Sequence, residues 1–358
     1  MRNALIFNPY LDTLGGGEFY TLLVVDFLIK NNFSLEIAWP YKDILAKITQ
    51  RFGLKLENRV KINNKASSIL KKSKNLLQKY LFSKDYQLIF YISDGSIPFL
   101  FGKINWLLFQ APFQNVDGRS LLNQIKLRNI HQVLCYSNFV KKFIDKEYKV
   151  DAKVVYPAIS DSFFCLKPIK KENIILSVGR FDQIMNAKKQ DVLVSVFKQM
   201  FDKGLRNWQL VLLGGLMKEN SYFKTLKKLA HGYPIKIMTN IDFKTLVNYY
   251  QKAKIYWHAA GYGENLDLYP EKAEHFGISI LEAMVSGAVP LIYNAGGSSE
   301  IIGENKELLW LSKKDLEDKT KLLINNELLL KRLRQLVAKR AHFFNQENFL
   351  KKLTELLL

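Results

Sequence analysis

Short apolar runs and helix-period segments take turns along almost the whole chain, and this alternation constrains the fold more than any other feature. In the first half the runs are ALIFN (4–8), LEIAW (35–39), QLIFYI (87–92), NWLLFQ (105–110), QVLCYS (132–137) and KVVYP (153–157). Helical periodicity occupies residues 18–30, 43–52, 67–81 and 138–146 between them. In the second half the runs are 173–179, 208–214, 235–239, 254–259 and 288–293, with helices at 189–201, 222–230, 243–252, 278–286 and several from 314 onward. Strands separated by helix-length crossovers predict an α/β fold with parallel sheets. The pattern breaks at SDSFFCLKPIKKE (160–172), where Pro168 and a group of charges interrupt it. A chain of 358 residues exceeds one typical domain. Two similar halves are therefore expected: 1–160, a linker at 161–171, and 172–342, with a last helix at 343–358 packing back on the first domain. Ligands of such sheets bind at the carboxyl ends of strands, so a site is expected where the two halves face each other.

The segment EHFGISILEAMVSGAVPLIYNAGGSSE, from Glu274 to Glu300, carries the strongest chemical signal. Glu274 and Glu282 stand eight positions apart; in one continuous helix they would be about 12 Å apart along the axis and about 80° apart around it. Gly277 is a poor helix-interior residue, so the helix is expected to start near it. Glu274 then lies on the preceding loop and Glu282 about one turn inside. Two acceptors flank a helix N-terminus, where free N–H groups and the dipole favour an anion. A ligand with hydroxyls at both ends and phosphate between them, a nucleotide-diphosphate sugar, suits that layout.

Two further clusters follow strand ends. Gly15, Gly16, Gly17 and Glu18 lie between the first strand and the first helix, where glycines let a ligand approach the backbone. The G-x-G-x-x-G spacing of a dinucleotide site is absent, which disfavours a nicotinamide enzyme. SVGRF (177–181) ends the first strand of the second half, and Lys188 and Lys189 precede the next helix. Arg180 and a lysine converging there would clamp a diphosphate; alone they would read as solvated loop charges. His258 and His275 read as packing or polar filler rather than as bases. No catalytic triad, zinc-protease pattern or Cys/His cluster occurs, and Cys135 and Cys165 have no metal-type or close disulfide spacing, which points to a reduced, cytosolic setting.

The net charge of +20 raises the question of a polyanionic partner. Residues 42–103 hold 13 Lys and Arg against 4 Asp and Glu, a net of +9. Within them, ASSILKKSKNLLQKYLFSK (66–84) sets apolar residues at near-helical spacing among lysines. Such a helix can lie on an anionic membrane or can simply pack its apolar side on a sheet. The N-terminal apolar run is too short for a signal peptide, and no segment reaches the roughly 20 apolar residues of a membrane span. The excess charge is shared between the halves and no nucleic-acid motif accompanies it, so a basic nucleic-acid-binding protein is the weaker alternative.

Taken together, GGGE, SVGRF with its lysine, the Glu-x7-Glu segment and Gly296-Gly297-Ser298-Ser299-Glu300 resemble the GT-B glycosyltransferases of family 4. The resemblance spans both halves. It implies a retaining, nucleotide-sugar-dependent hexosyltransferase of two Rossmann-like domains, needing no metal and no cofactor beyond the donor. Glu274 would hold donor-sugar hydroxyls, with the backbone of Phe276, Gly277 and Ile278 against sugar and phosphate. Glu282 would bind ribose, Arg180 and Lys188 would neutralise the departing diphosphate, and Gly16 and Gly17 would approach the donor phosphate from the other domain. Many relatives carry a histidine where this chain has Gln110, which can orient a sugar hydroxyl but cannot act as a base; Glu18 is a second candidate for orienting acceptor or sugar. The acceptor expected is a glycan or lipid-linked molecule at the cytosolic face of a membrane, and the basic pattern of residues 66–84 offers one way for the protein to lie on that face. A nucleotide-sugar epimerase or a soluble glucan synthase of the same fold remains the alternative.

Overall fold

The structure, a computed structural model, describes residues 2–167, 169–183 and 187–357. Its contacts divide it into two units, Met1–Pro157 with Phe349–Leu358, and Ala158–Asn348. Pro168, one marker of the expected seam, lies outside the described residues.

The first unit holds seven strands: β1 (Arg2–Phe7), β2 (Phe33–Ile37), β3 (Val60–Ile62), β4 (Leu88–Ser93), β5 (Ile104–Phe109), β6 (Gln132–Cys135) and β7 (Lys153–Val154). All pair in parallel, in the order β3-β2-β1-β4-β5-β6-β7. Every residue of β4 is buried, which is why its sequence is an unbroken apolar run rather than an alternating one. The helices are α1 (Gly16–Lys30), α2 (Ile44–Phe52), α3 (Asn64–Lys72), α4 (Leu76–Ser83), α5 (Leu121–Leu127) and α6 (Asn138–Tyr148).

The second unit has six parallel strands, β8 (Glu172–Val178), β9 (Gln209–Gly214), β10 (Ile235–Thr239), β11 (Ala253–His258), β12 (Val289–Tyr293) and β13 (Leu309–Trp310). Their order is β10-β9-β8-β11-β12-β13. Around them run α7 (Gln190–Asp202), α8 (Ser221–Ala230), α9 (Phe243–Lys252), α10 (Ile278–Val285), α11 (Ser298–Ile301), α12 (Lys313–Asn325), α13 (Glu327–Ala341) and α14 (Gln346–Leu357). The residues of α14 from Phe349 on group with the first unit, where the Phe349 ring stands edge-on to Tyr20 at 4.9 Å.

The expected α/β fold with parallel sheets is therefore borne out, and each sheet has the strand order of a doubly wound nucleotide-binding sheet. The order reverses between β1 and β4, and again between β8 and β11; such switch points open a crevice at the strands' carboxyl ends. One expected element differs. The helix anticipated over 67–81 is two helices, because Ser73 takes an extended backbone conformation and the Asn75 side chain caps α4 by accepting from the Gln78 N–H at 3.0 Å. Local side-chain-to-backbone bonds of this kind compete with helix continuation.

Candidate active site

In the second unit, β8 and β11 are neighbours at the switch point, and the chain leaving each carries charged residues. After β8, the turn through Gly179, Arg180 and Phe181 runs beside the end of β9: the Gly179 N–H donates to Leu213 at 2.8 Å and the Phe181 N–H to Gly215 at 3.0 Å. A Cβ on Gly214 would strike the Gly179 carbonyl, so the approach demands glycine there. Arg180 projects from this turn with its side chain 57% exposed, its Nε 3.8 Å from Asp182 Oδ2.

Lys188 and Lys189 diverge because Lys189 has a left-handed backbone (φ +51°) as it opens α7. The Lys188 ammonium donates to Glu274 Oε2 at 2.5 Å, whereas Lys189 meets Glu264 Oε1 at 2.5 Å. Lys272 meets the other oxygen of Glu264 at 2.8 Å. Of the two adjacent lysines, Lys188 is thus the one that reaches the Glu274 segment.

Glu274 is only 6% exposed and receives a second partner, His258 Nε2, at 2.8 Å. Burial alone would raise its pKa; the Lys188 ammonium and the His258 ring outweigh burial and hold the carboxyl well below the usual carboxylate range. The backbone behind it is fixed as well. The Gly297 N–H donates to the Glu274 carbonyl at 2.8 Å, and a Cβ on Gly296 (φ +66°) would collide with that same carbonyl. The GG-x-x-E motif therefore supports the first glutamate of the Glu-x7-Glu segment.

Gly277 is the N-cap of α10 and has φ +110°, so the helix begins where the sequence placed its start. A side chain there would stand 2.8 Å from Ile280 Cδ1 and 3.3 Å from Glu274 Cγ. Ile278 opens the helix; the Ile280 N–H already donates to the Gly277 carbonyl at 3.0 Å, while those of Ile278 and Ser279 precede the first intrahelical acceptor. The Phe276 ring is buried edge-on against Phe344 at 5.6 Å, leaving its backbone as the part able to serve a ligand. One turn into α10, Glu282 Oε2 accepts from the Tyr250 hydroxyl at 2.7 Å. The Tyr256 hydroxyl donates to Ser279 Oγ at 2.9 Å and lies 3.2 Å from the Val178 carbonyl, tying β8, β11 and α10 together. His275 turns aside to the Glu271 carbonyl at 3.0 Å, and burial pushes its pKa down to about 4.

The first unit carries the remaining predicted residues at its own switch point. Glu18 is buried and its Oε2 accepts from the Gly15 N–H at 2.9 Å and from Thr13 Oγ1 at 2.5 Å, so this carboxylate closes the glycine loop from within. Gly16 opens α1 and Gly17 follows, its carbonyl 3.3 Å from the Tyr136 hydroxyl. A Cβ on Gly17 would lie 3.2 Å from the Gln110 amide. Gln110 Nε2 is buried and, among the described residues, has no hydrogen-bond partner.

Sequence reasoning passed over three contributors. His258 reads in the sequence as packing or polar filler, yet it grips Glu274; its place at the end of β11, beside β8, is the signal that points to it. Tyr250 and Tyr256 look like core aromatics in the sequence, and only the packing shows that their hydroxyls hold Glu282 and Ser279.

The model of the glycosyl transferases group 1 family matches residues 159–340, just over half of the chain. The chain belongs to the group 1 glycosyl transferases. The resemblance drawn from the motifs is thereby borne out. Among curated relatives, an uncharacterized glycosyltransferase of Methanocaldococcus jannaschii is 26% identical over 61% of this chain and 58% of its own length. The alpha-1,3/1,6-mannosyltransferase ALG2 of Saccharomyces cerevisiae is 27% identical over 56% of this chain and 45% of its own. The group 1 chain described here thus spans about half the length of these curated relatives. A solved structure of Anabaena HepE in complex with UDP-glucose superposes with a TM-score of 0.70 at 15% identity, covering 100% of this chain and 99% of that one. At that identity the likeness speaks for a shared GT-B fold.

Proposed function

We propose that this group 1 protein is a retaining glycosyltransferase that moves a hexose from a nucleotide-diphosphate sugar to a glycan or lipid-linked acceptor at the cytosolic side of a membrane. One observation carries the reading: a buried, ionised Glu274, gripped by Lys188 and His258, stands three residues before the left-handed Gly277 that caps α10. Glu274 is the sugar-end acceptor, the start of α10 faces phosphate, and Glu282 serves the ribose end. Lys188 and Arg180 stabilise charge on the departing diphosphate, an electrostatic task that a preorganised site performs at little reorganisation cost. Curated relatives bearing mannosyltransferase names and the UDP-glucose in the Anabaena structure support a nucleotide-sugar donor.

In this reading Glu274 is no nucleophile: its lone pairs are engaged by two cationic or hydrogen-donating partners. The acceptor hydroxyl attacks on the face from which the diphosphate departs. The cationic groups and the helix start take the place of a metal, so transfer persists in chelator.

The test is a thermal-shift screen against UDP-, GDP-, ADP- and TDP-hexoses, followed by NMR of the product's anomeric configuration. Stabilisation by one nucleotide-sugar class and a product that keeps the donor's anomeric configuration support the reading. Inverted product, or free sugar isomerised at one carbon with no acceptor consumed, overturns it in favour of another chemistry on the same fold.

A further inference from the structure

Helices α4 and α5 of the first unit turn most of their apolar side chains outward. In α4 the buried positions are Lys79 and Ser83, while Leu76, Leu77, Tyr80 and Leu81 face outward. Lys79 reaches inward to donate to the Leu70 carbonyl at 2.9 Å, and Ser83 Oγ donates to the Lys79 carbonyl at 2.6 Å. In α5 no residue is buried, and Leu121, Leu122 and Ile125 face outward. Inward, α5 sets Leu127 against the unit's core and otherwise makes polar contacts: Gln124 Nε2 donates to the Tyr148 carbonyl at 2.9 Å, and Asn123 Nδ2 to the Asp117 carbonyl at 2.9 Å. A helix that packs on a sheet buries its apolar stripe; these two set only Phe82 and Leu127 against the core and turn the rest of their apolar side chains outward. The seven outward apolar side chains are between 45% and 76% exposed.

The two helices form one surface. The Tyr80 ring stands edge-on to Phe101 at 5.6 Å, Phe101 stacks with Phe99 at 6.3 Å, and the Lys126 ammonium of α5 lies 5.2 Å over Phe99. Lys84 lies 5.6 Å over Tyr80 at the other end. The segments that build the surface, residues 64–84, 95–116 and 118–144, contain no Asp or Glu. The same segments also carry Lys71, Lys74, Lys103, Arg119 and Arg128, of which Lys71 is paired with Asp94 at 3.1 Å.

We infer that this two-helix surface docks on an anionic lipid bilayer, with Leu76, Leu77, Leu81, Leu121, Leu122 and Ile125 entering the headgroup boundary. Outward leucines with a tyrosine, with Lys84 and Lys126 over the aromatic rings beside them and a local excess of Lys and Arg, match the apolar-plus-cationic chemistry of interfacial helices. A soluble acidic partner would need the charges but not seven exposed apolar groups. The inference rests on the proposed reading only for the membrane-borne acceptor; lipid binding and sugar transfer are read separately.

The test is flotation of the purified chain with vesicles of phosphatidylcholine alone, and with vesicles containing phosphatidylglycerol, without donor or acceptor. Binding to the phosphatidylglycerol vesicles is expected to exceed binding to neutral ones and to fall as salt rises. The pairs Leu77→Asp with Leu81→Asp, and Leu122→Asp with Ile125→Asp, should each lower the partition coefficient by at least about tenfold, the order expected for withdrawing two aliphatic side chains from an apolar phase. Because these side chains are already in water, the thermal midpoint and transfer to a water-soluble acceptor should stay at the parent values. Absence of binding to either vesicle overturns the inference, as does loss of only one pair's effect, or a self-association in solution that both pairs abolish. Vesicle binding without any transferase activity would leave the docking surface standing and overturn the enzymatic reading instead.

Discussion

The two sheets share a strand order, yet the first strand of each leads into a different kind of loop. After β1, the carboxylate of Glu18 folds back on its own glycine turn, bonding to Gly15 and Thr13. After β8, the cation of Lys188 leaves its own loop and meets Glu274, 86 positions later in the chain. The first junction is closed by a local cap and offers bare backbone and a neutral amide. The second is held by an ion pair and a histidine brought together from the ends of two strands, β8 and β11. One topology thus supports both a shaped, uncharged wall and a buried cluster of charge, and the difference lies in whether the loop's ionic group finds its partner locally or at long range.

That contrast yields predictions of graded size. The largest effect is expected from Lys188→Ala, which removes a cation from the leaving group and strands Glu274 without its closest partner. Turnover should fall by about 10²–10³-fold, and stability by about 3 kcal/mol or more, as when one member of a buried pair is deleted. Steady-state kinetics and chemical denaturation check both; near-parental values would place Lys188 outside the site. Arg180→Ala should also cost about 10² in turnover, yet leave the thermal midpoint almost unmoved because its side chain is more than half exposed.

Acid should weaken the second unit more than the first. Glu274 is depressed, so its stabilisation is present above the unfolded carboxyl value, about 4.3, and is lost as pH falls toward its lower folded value. His275 is depressed to about 4, so between the unfolded value of about 6.5 and about 4 the unfolded chain binds the extra proton and stability declines with falling pH. Denaturation midpoints from pH 7 to pH 4 should therefore slope downward, and His275→Gln should flatten that slope; an unchanged slope would show that the histidine's environment is not what burial implies. The smallest effect belongs to Glu18→Ala, which should cost about 1 kcal/mol, the usual size of a lost helix cap. A loss of turnover larger than the stability change explains would assign Glu18 a ligand contact besides its capping bond.

Much of this molecule is legible in its sequence because parallel sheets are buried on both faces and write themselves as apolar runs; β4, β8, β9 and β11 stand close to where those runs place them. The Glu-x7-Glu segment is equally legible, since Gly277 marks its own helix start through a backbone only glycine adopts readily. What the sequence hides is contact between distant loops. His258 looks like any strand-end histidine until β11 is placed beside β8, and nothing in the doublet Lys188-Lys189 says which one turns toward Glu274, because the divergence comes from one left-handed residue. α5 is hidden for another reason: Leu121, Leu122 and Ile125 are exposed and no residue of it is fully buried, so no buried stripe separates it from the loop before it.

The account turns on Glu274 holding the sugar end of a nucleotide-sugar donor. Calorimetric titration of the parent chain and of Glu274→Gln, each with a nucleotide diphosphate and with the corresponding nucleotide-diphosphate hexose, tests this most directly. Glu274→Gln keeps the shape and removes the charge, so binding of the hexose donor should weaken by about tenfold or more, the order of a lost hydrogen bond to a charged group, while binding of the sugar-free nucleotide diphosphate stays near the parental value. Equal weakening of both ligands, or of neither, would contradict the assignment.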